Sequence, residues 1–511
     1  MYNNIKPKSQ IKNGAIISYI TLFVSMAISL LYTPYLLKTL GQSEYGIYSL
    51  ANTVIAYFTL LDFGFGNAII KFTAKFKAEG NKYKEKRVLG MFLLIYSLIG
   101  LITLVIGAVI ILYSDSIFSS ALTDVELKVL KPLLVLAVFN VALSFPLSLY
   151  SSVINAYEHY VFIKLMKLIR SFINPLFIVA ALMFKSGSFG IILATTLVNL
   201  IFNVVNIYYC YHKLSIKIKF LGFDKPILKE ISTYSFYIFL GIIVDKIFWN
   251  TDQLLLGINK SSNSKEIAVY ALSVTFTSIF ISLTSIIGQL YLPRFTTMML
   301  NKCSDKDISD EFVKVSRLQF FICSYVFIGF LIVGKEFIIT WAGIEYINTF
   351  YICAIIMASL VAGISQNVGI AVLQAKNLVK FRSFNQLFFA VINIILTWIL
   401  IPIYGGIGAA ISTFIAHFIG IFITMSIFYQ KRAMLDVLSL WKGLARFFPG
   451  FIICGIISYL INQYVFVNIS GYYIVILMGL FFTILYCVAT YLLMNNYEKQ
   501  IVLGFIKKIN F

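Results

Sequence analysis

Apolar stretches of about 20 residues, each long enough to cross a hydrocarbon core of roughly 30 Å as a helix, recur from one end of this 511-residue chain to the other. A water-soluble core cannot hide so many, and only 12% of the residues are charged, about half the share usual in a soluble chain. The apolar windows place helices near 14–37, 46–70, 88–113, 130–155, 161–184, 189–210, 232–257, 267–292, 318–340, 349–373, 381–402, 407–429, 447–466 and 472–494. The expectation is an all-α, polytopic membrane protein with about 14 crossings. The first span follows Lys6, Lys8 and Lys12 and is too long for a signal-peptide core, so it reads as a retained membrane helix.

An even number of crossings puts both ends of the chain on one side. Of the 41 Lys and Arg, only Lys38, Lys128, Lys131, Lys185, Lys260, Lys265 and Lys335 fall on the other side, while Lys246 lies within the seventh span. Short loops rich in Lys and Arg resist translocation, so both termini are expected in the cytoplasm. That distribution also accounts for the net charge of +20 without a nucleic-acid partner. The densest run, KFTAKFKAEGNKYKEKR at 71–87, reads as a topology determinant beside anionic membrane lipids. The longest polar stretches, 71–87, 211–231 and 293–317, are too short for a soluble domain. The six cysteines and three histidines are scattered, with neither metal-ligand spacing nor a nucleophilic triad.

The two halves resemble each other. Glu44 to Thr53, EYGIYSLANT, matches Glu266 to Thr275, EIAVYALSVT, and Phe189 to Thr196, FGIILATT, matches Ile407 to Phe414, IGAAISTF. The nearly constant offset implies that six helices are repeated, giving lobes at 1–210 and 211–430, with two further helices and a tail at 431–511. Parallel six-helix bundles related by an axis along the membrane normal can rock about a central site, which points to alternating access.

Ionisable side chains within a span are costly unless paired or solvated, so each is a functional candidate. The seventh span is richest: IIVDKIFWNTDQLLLG groups Asp245, Lys246, Trp249, Asn250, Asp252 and Gln253 into a polar stripe. There Lys246, with Trp249 and Asn250, would attract an anionic headgroup, while Asp245 or Asp252 would bind a cation or titrate; alternatively the charges pair and only fix packing. Asp62 precedes Gly64 and Gly66, as a coupling carboxylate or as the fastener of a helix bend. Arg170 and Arg294 could meet phosphate near the cytoplasmic mouth or serve as ordinary positive-inside anchors. Gln289, Gln366, Asn367, Asn385, Gln386 and Asn393 read as interhelical glue. Asp305-Lys306-Asp307 has the spacing of some glycosyltransferase metal sites but reads as a solvated face.

LLKTLGQSEYGIYSLA, LLDFGFGNAIIKF, NTDQLLLG with VYALS, LYLPRF and IPIYGGIGAAISTF, taken in order, resemble the polysaccharide transporters of the multidrug/oligosaccharidyl-lipid/polysaccharide exporter superfamily, the O-antigen and capsule flippases called Wzx. The resemblance implies a two-lobed MATE-like fold in the bacterial cytoplasmic (inner) membrane. Its substrate would be an undecaprenyl-diphosphate-linked oligosaccharide, with cavity cations drawing in the diphosphate and the two extra helices guiding the polyprenyl tail. It also implies no cofactor beyond a coupling ion, proton or sodium, and a place beside polysaccharide polymerase machinery. Peptidoglycan-precursor flippases of the superfamily carry several arginines in their first helices; helices one and two here contain none. The alternatives are a drug/cation antiporter of the same superfamily, or a membrane-embedded polymerase or ligase, an enzyme that should carry a large outer loop.

Overall fold

The computed structural model describes residues 7–216, 218, 220, 222–285, 291–376, 378–464, 466, 471–495 and 498–499; Gln289 lies outside them. Among these residues all regular structure is helical, and 12 continuous helical stretches are long and apolar enough to cross a membrane. Two of them are too long to cross only once. Ile16–Ala78 runs for 63 residues and Val379–Lys431 for 53; at 1.5 Å per residue, straight helices of these lengths would reach about 80–95 Å, against roughly 30 Å of hydrocarbon.

Glycines resolve the mismatch. In α1 (Pro7–Phe58) Gly41 adopts φ 73° and ψ 168°, and in a later helix (Val379–Ala416) Gly405 adopts φ 56° and ψ −137°. Such backbone is open essentially to glycine alone. Each long stretch therefore holds two of the expected spans, 14–37 with 46–70 and 381–402 with 407–429, which reconciles twelve continuous stretches with about fourteen crossings.

The chain forms two compact units, Met1–Ala268 and Val269–Phe511. In the first, α1 is followed by α2 (Phe65–Ala78), α3 (Lys82–Leu112), the short α4 (Ser114–Phe118), α5 (Asp124–Ala156), α6 (Tyr160–Met183), α7 (Gly187–His212) and α8 (Lys225–Ile258). Helix α3 lies along α5, α1 lies along α6, and α7 packs on both α5 and α6. Fully buried Phe72 of α2, Phe92 and Tyr96 of α3, and Leu149 and Val153 of α5 belong to one hydrophobic core. Helix α8, which the sequence repeat assigns to the second lobe, packs against α1 and α2.

The Gly41 bend is tied to the start of α7 in this unit. Glu44, just past the Gly41 bend, accepts hydrogen bonds from the backbone N (2.6 Å) and hydroxyl (2.7 Å) of Ser188. Its carboxylate thus sits against unpaired amides and the positive end of α7, where a negative charge is stabilising. Nearby, Glu126 of α5 accepts from Ser43 at 2.5 Å and from Ser264, the first residue of α9 (Ser264–Thr284). Arg87, in the first turns of α3, fastens the connection ahead of α8: it pairs with Asp224 at 3.1 Å and donates to the Phe223 carbonyl at 2.8 Å.

The second unit continues with α10 (Leu292–Leu300), α11 (Asp305–Ala342), α12 (Asn348–Ser365), α13 (Val368–Ala375), α14 (Val379–Ala416), a π-helical segment (His417–Thr424), α15 (Met425–Lys431), α16 (Val437–Ala445), α17 (Phe448–Tyr464) and α18 (Tyr472–Leu493). The expected span 349–373 divides at Gln366 and Asn367. Gln366 donates to the carbonyls of Ile421 and Phe422 at 3.1 Å each and accepts from Ser426 at 2.9 Å, while Asn385 donates to the Gly420 carbonyl at 2.7 Å. Both amides satisfy backbone groups of the π segment, as a bilayer interior requires wherever regular α-helical pairing is altered. Asp307 forms a capping box with Ser304 at the start of α11, and Asp305 pairs with Lys376 at 2.5 Å, so the Asp-Lys-Asp run begins a helix and ties it down.

At Gly41 an added Cβ would meet nothing within 4 Å, so Gly41→Ala isolates backbone strain from packing. The substitution should lower the stability of the detergent-solubilised protein by about 1–3 kcal/mol, read as a fall in the thermal unfolding midpoint. An unchanged midpoint would mean that the bend does not require positive φ.

Candidate functional site

The polar stripe of α8 divides into two parts. Asp252 and Gln253 are buried, and Thr251 between Asn250 and Asp252 shares a 2.7 Å hydrogen bond with Tyr57 of α1. Toward the start of the helix, Asp245 is exposed while Lys246, Trp249 and Asn250 are half-buried. The Asn250 amide donates back to the Lys246 carbonyl at 3.4 Å. One end of the stripe is therefore buried beside α1, and the end carrying Lys246 stays accessible.

Asp62 closes a 3₁₀ turn (Thr59–Asp62), after which Phe63 and Gly64 take left-handed dihedrals and α2 begins. The Tyr96 hydroxyl of α3 donates to one Asp62 oxygen at 2.5 Å, and the Gly66 amide lies 3.4 Å from the other. The carboxylate fastens the bend between α1 and α2. Arg294 forms an ion pair with Glu311 at 2.9 Å, and that carboxylate is only 8% exposed.

Arg170 lies elsewhere, in a cleft of about 360 Å³ among α5, α6 and α7. Each helix contributes a row of polar side chains at helical spacing: Ser144, Ser148 and Ser151 from α5, Lys167 and Arg170 from α6, and Asn199, Asn203 and Asn206 from α7. Positions i, i+4 and i+7 share one helix face. Among the described residues no carboxylate lines the cleft. Arg170 donates to the Asn199 amide oxygen, and the Asn199 nitrogen donates onward to Asn140 at 3.2 Å. Counting charges alone passes over these rows; the signal that finds them is Asn199, Asn203 and Asn206 recurring on one face of an otherwise apolar helix.

Where α5 gives way to α6, His159 Nδ1 and the Tyr209 hydroxyl are 2.7 Å apart, and Tyr209 stacks on Phe162. Burial, helped by the charges of Lys77 and Lys213, holds the His159 imidazole below its ordinary pKa.

The second unit holds a recess of opposite character, about 740 Å³, walled by α11, α12, the π segment, α16 and α17. Phe320, Phe327, Phe422, Trp441 and Phe451 dominate its lining, with Ser324, Ser458, Tyr459 and Asn462 as its polar members. Ser324 shares a 2.7 Å hydrogen bond with Tyr486 of α18.

A family model described as polysaccharide biosynthesis protein matches residues 11–299. No curated protein matches the sequence. Among solved structures, the lipid II flippase MurJ in an inward closed conformation superposes with a TM-score of 0.71 at 14% identity, covering 96% of this chain and 99% of that one. An inward-facing multidrug resistance MATE transporter of the MOP superfamily follows with a TM-score of 0.62 at 15% identity, covering 83% and 99%. A MOP superfamily transporter from Pyrococcus furiosus, whose title reports reverse polarity of its binding pocket, gives 0.55 at 14% identity, covering 84% and 96%. At these identities the likeness is one of fold, and the fold of this chain is that of the MOP-superfamily transporters.

Replacing Tyr96 by Phe keeps its buried ring and removes only the hydroxyl that holds Asp62. The loss should be about 1.5–3 kcal/mol, the range for hydrogen bonds to charged groups, measured by denaturation in detergent. Undiminished stability would mean that the backbone amide alone secures the bend.

Proposed function

The chain belongs to the polysaccharide biosynthesis protein family, and on that premise we propose that it is a flippase, not an enzyme, for undecaprenyl-diphosphate-linked oligosaccharides. It would work in the bacterial cytoplasmic membrane with both termini in the cytoplasm, moving repeat units for O-antigen or capsule assembly by alternating access and delivering them to a polymerase on the far side. Coupling to a proton or sodium gradient belongs to the same proposal, with Asp245, Asp252 and Asp62 as its carboxylates and Lys246 as a headgroup cation.

The observation that carries the lipid-linked cargo is the apolar recess of the second unit. The recess is built largely of aromatic and aliphatic side chains, so a polyprenyl chain can enter it from the bilayer without desolvating a polar group, held by van der Waals packing. Two of its walls, α16 and α17, come from the segment beyond the twelve-helix repeat. The likeness in fold runs the same way: the lipid II flippase covers 96% of the chain and the MATE transporter 83%.

Gly455 tests this reading cleanly. It lines the recess, and a Cβ added there meets nothing within 4 Å, so the first carbon of a Gly455→Leu side chain is accommodated and the added bulk takes up recess space. Thermal stability should hold, while translocation of a lipid-linked oligosaccharide falls on the order of tenfold, equivalent to ~1.4 kcal/mol. Full activity in a folded Gly455→Leu protein would remove the recess from the transport path.

A further inference from the structure

We propose that the cleft among α5, α6 and α7 is an anion site that takes the diphosphate of a lipid-borne substrate. Its identification as a substrate diphosphate rests on the flippase reading above; the existence of an anion site rests on the geometry of the first unit alone.

The first observation is depth. Arg170 stands ten residues into α6 from Tyr160, about 15 Å along the helix axis, half of a hydrocarbon core of roughly 30 Å. Its partner Asn199 is near the middle of α7, and Asn140 near the middle of α5. A guanidinium at that depth is costly unless something compensates its charge.

No carboxylate does so. Neither Arg170 nor Lys167 takes part in an ion pair among the described residues, and none of the residues lining the cleft is acidic. What holds Arg170 is a neutral relay, from Asn199 onward to Asn140. The relay fixes the guanidinium and leaves its charge uncancelled. Asn199 engages one of five N–H donors, so the others are free to meet ligand oxygens.

The cleft also has direction. From Arg170, Lys167 is one turn nearer the start of α6 and Lys164 one turn nearer still; Asn203 and Asn206 follow Asn199 toward the end of α7. These rows run from mid-helix toward the ends of the helices where α5 passes into α6, the cytoplasmic side in the proposed orientation. The hydroxyls of Ser144, Ser148 and Ser151 donate to carbonyls of their own helix, so the available donors are the two cations and the two asparagine amides. A planar guanidinium beside an ammonium suits phosphate oxygens, and the adjacent amides suit a neighbouring sugar.

The test uses the full-length protein in nanodiscs of zwitterionic lipid, with inorganic pyrophosphate, farnesyl diphosphate, farnesol and phosphatidylglycerol as probes. Both diphosphates should bind, read by thermal shift and by calorimetry, and farnesol should not. Arg170→Gln combined with Lys167→Gln should weaken farnesyl diphosphate at least tenfold. Asn203→Asp, nearly isosteric and leaving both cations in place, should weaken it through like-charge repulsion, which guards against a misfolded double variant. Undiminished binding in both variants would overturn the site. Binding of phosphatidylglycerol as tight as that of farnesyl diphosphate would make it a lipid-headgroup site and overturn the assignment to substrate. Wild-type proteoliposomes that bind diphosphate at Arg170 yet translocate no lipid-linked sugar would overturn the flippase reading instead, leaving the anion site standing.

Discussion

A hydrocarbon layer offers no water to an unpaired polar group, and most of what is specific about this molecule follows from that constraint. It makes every regular element among the described residues helical, and it sets a length beyond which a helix must bend. It also makes each polar side chain inside a span account for itself. Gln366 and Asn385 do so by donating to carbonyls of the π segment. Asp62 does so through Tyr96. Arg170 is different, because its protein partner is neutral and its charge remains to be met.

The helices were legible in the sequence because apolar length is a local property. The tie between the Gly41 bend and α7 was not, because it joins Glu44 to Ser188, 144 residues away. The bends were only half legible. Gly41 and Gly405 could be seen in the chain, but whether a glycine takes positive φ depends on what its flanking helices pack against. The division of the span 349–373 was hidden for a related reason, since Gln366 finds its acceptors 55 and 56 residues away.

The candidate residues show the same limit. Charge within a span marked Asp62, Arg170, Arg294 and Lys246, yet the partners that distinguish them are distant in sequence: Tyr96, Asn199 and Glu311. The three-helix cleft was written in spacing, with Asn199, Asn203 and Asn206 on one face, but only the fold sets that face beside Arg170. The apolar recess left no mark at all. Its lining has the same composition as lipid-facing or core surface, and shape alone makes it a recess.

Each unit thus contributes a recess of its own kind, one basic and hydrogen-bonding, the other large and apolar. The measurement that bears most directly on this account is translocation by the purified protein in proteoliposomes of a fluorescent polyprenyl-diphosphate oligosaccharide, scored by protection from a membrane-impermeant quencher. The account predicts protein-dependent movement that fails for the free oligosaccharide and for a polyprenol lacking the diphosphate. Movement of a cationic drug with none of the lipid-linked sugar would contradict it.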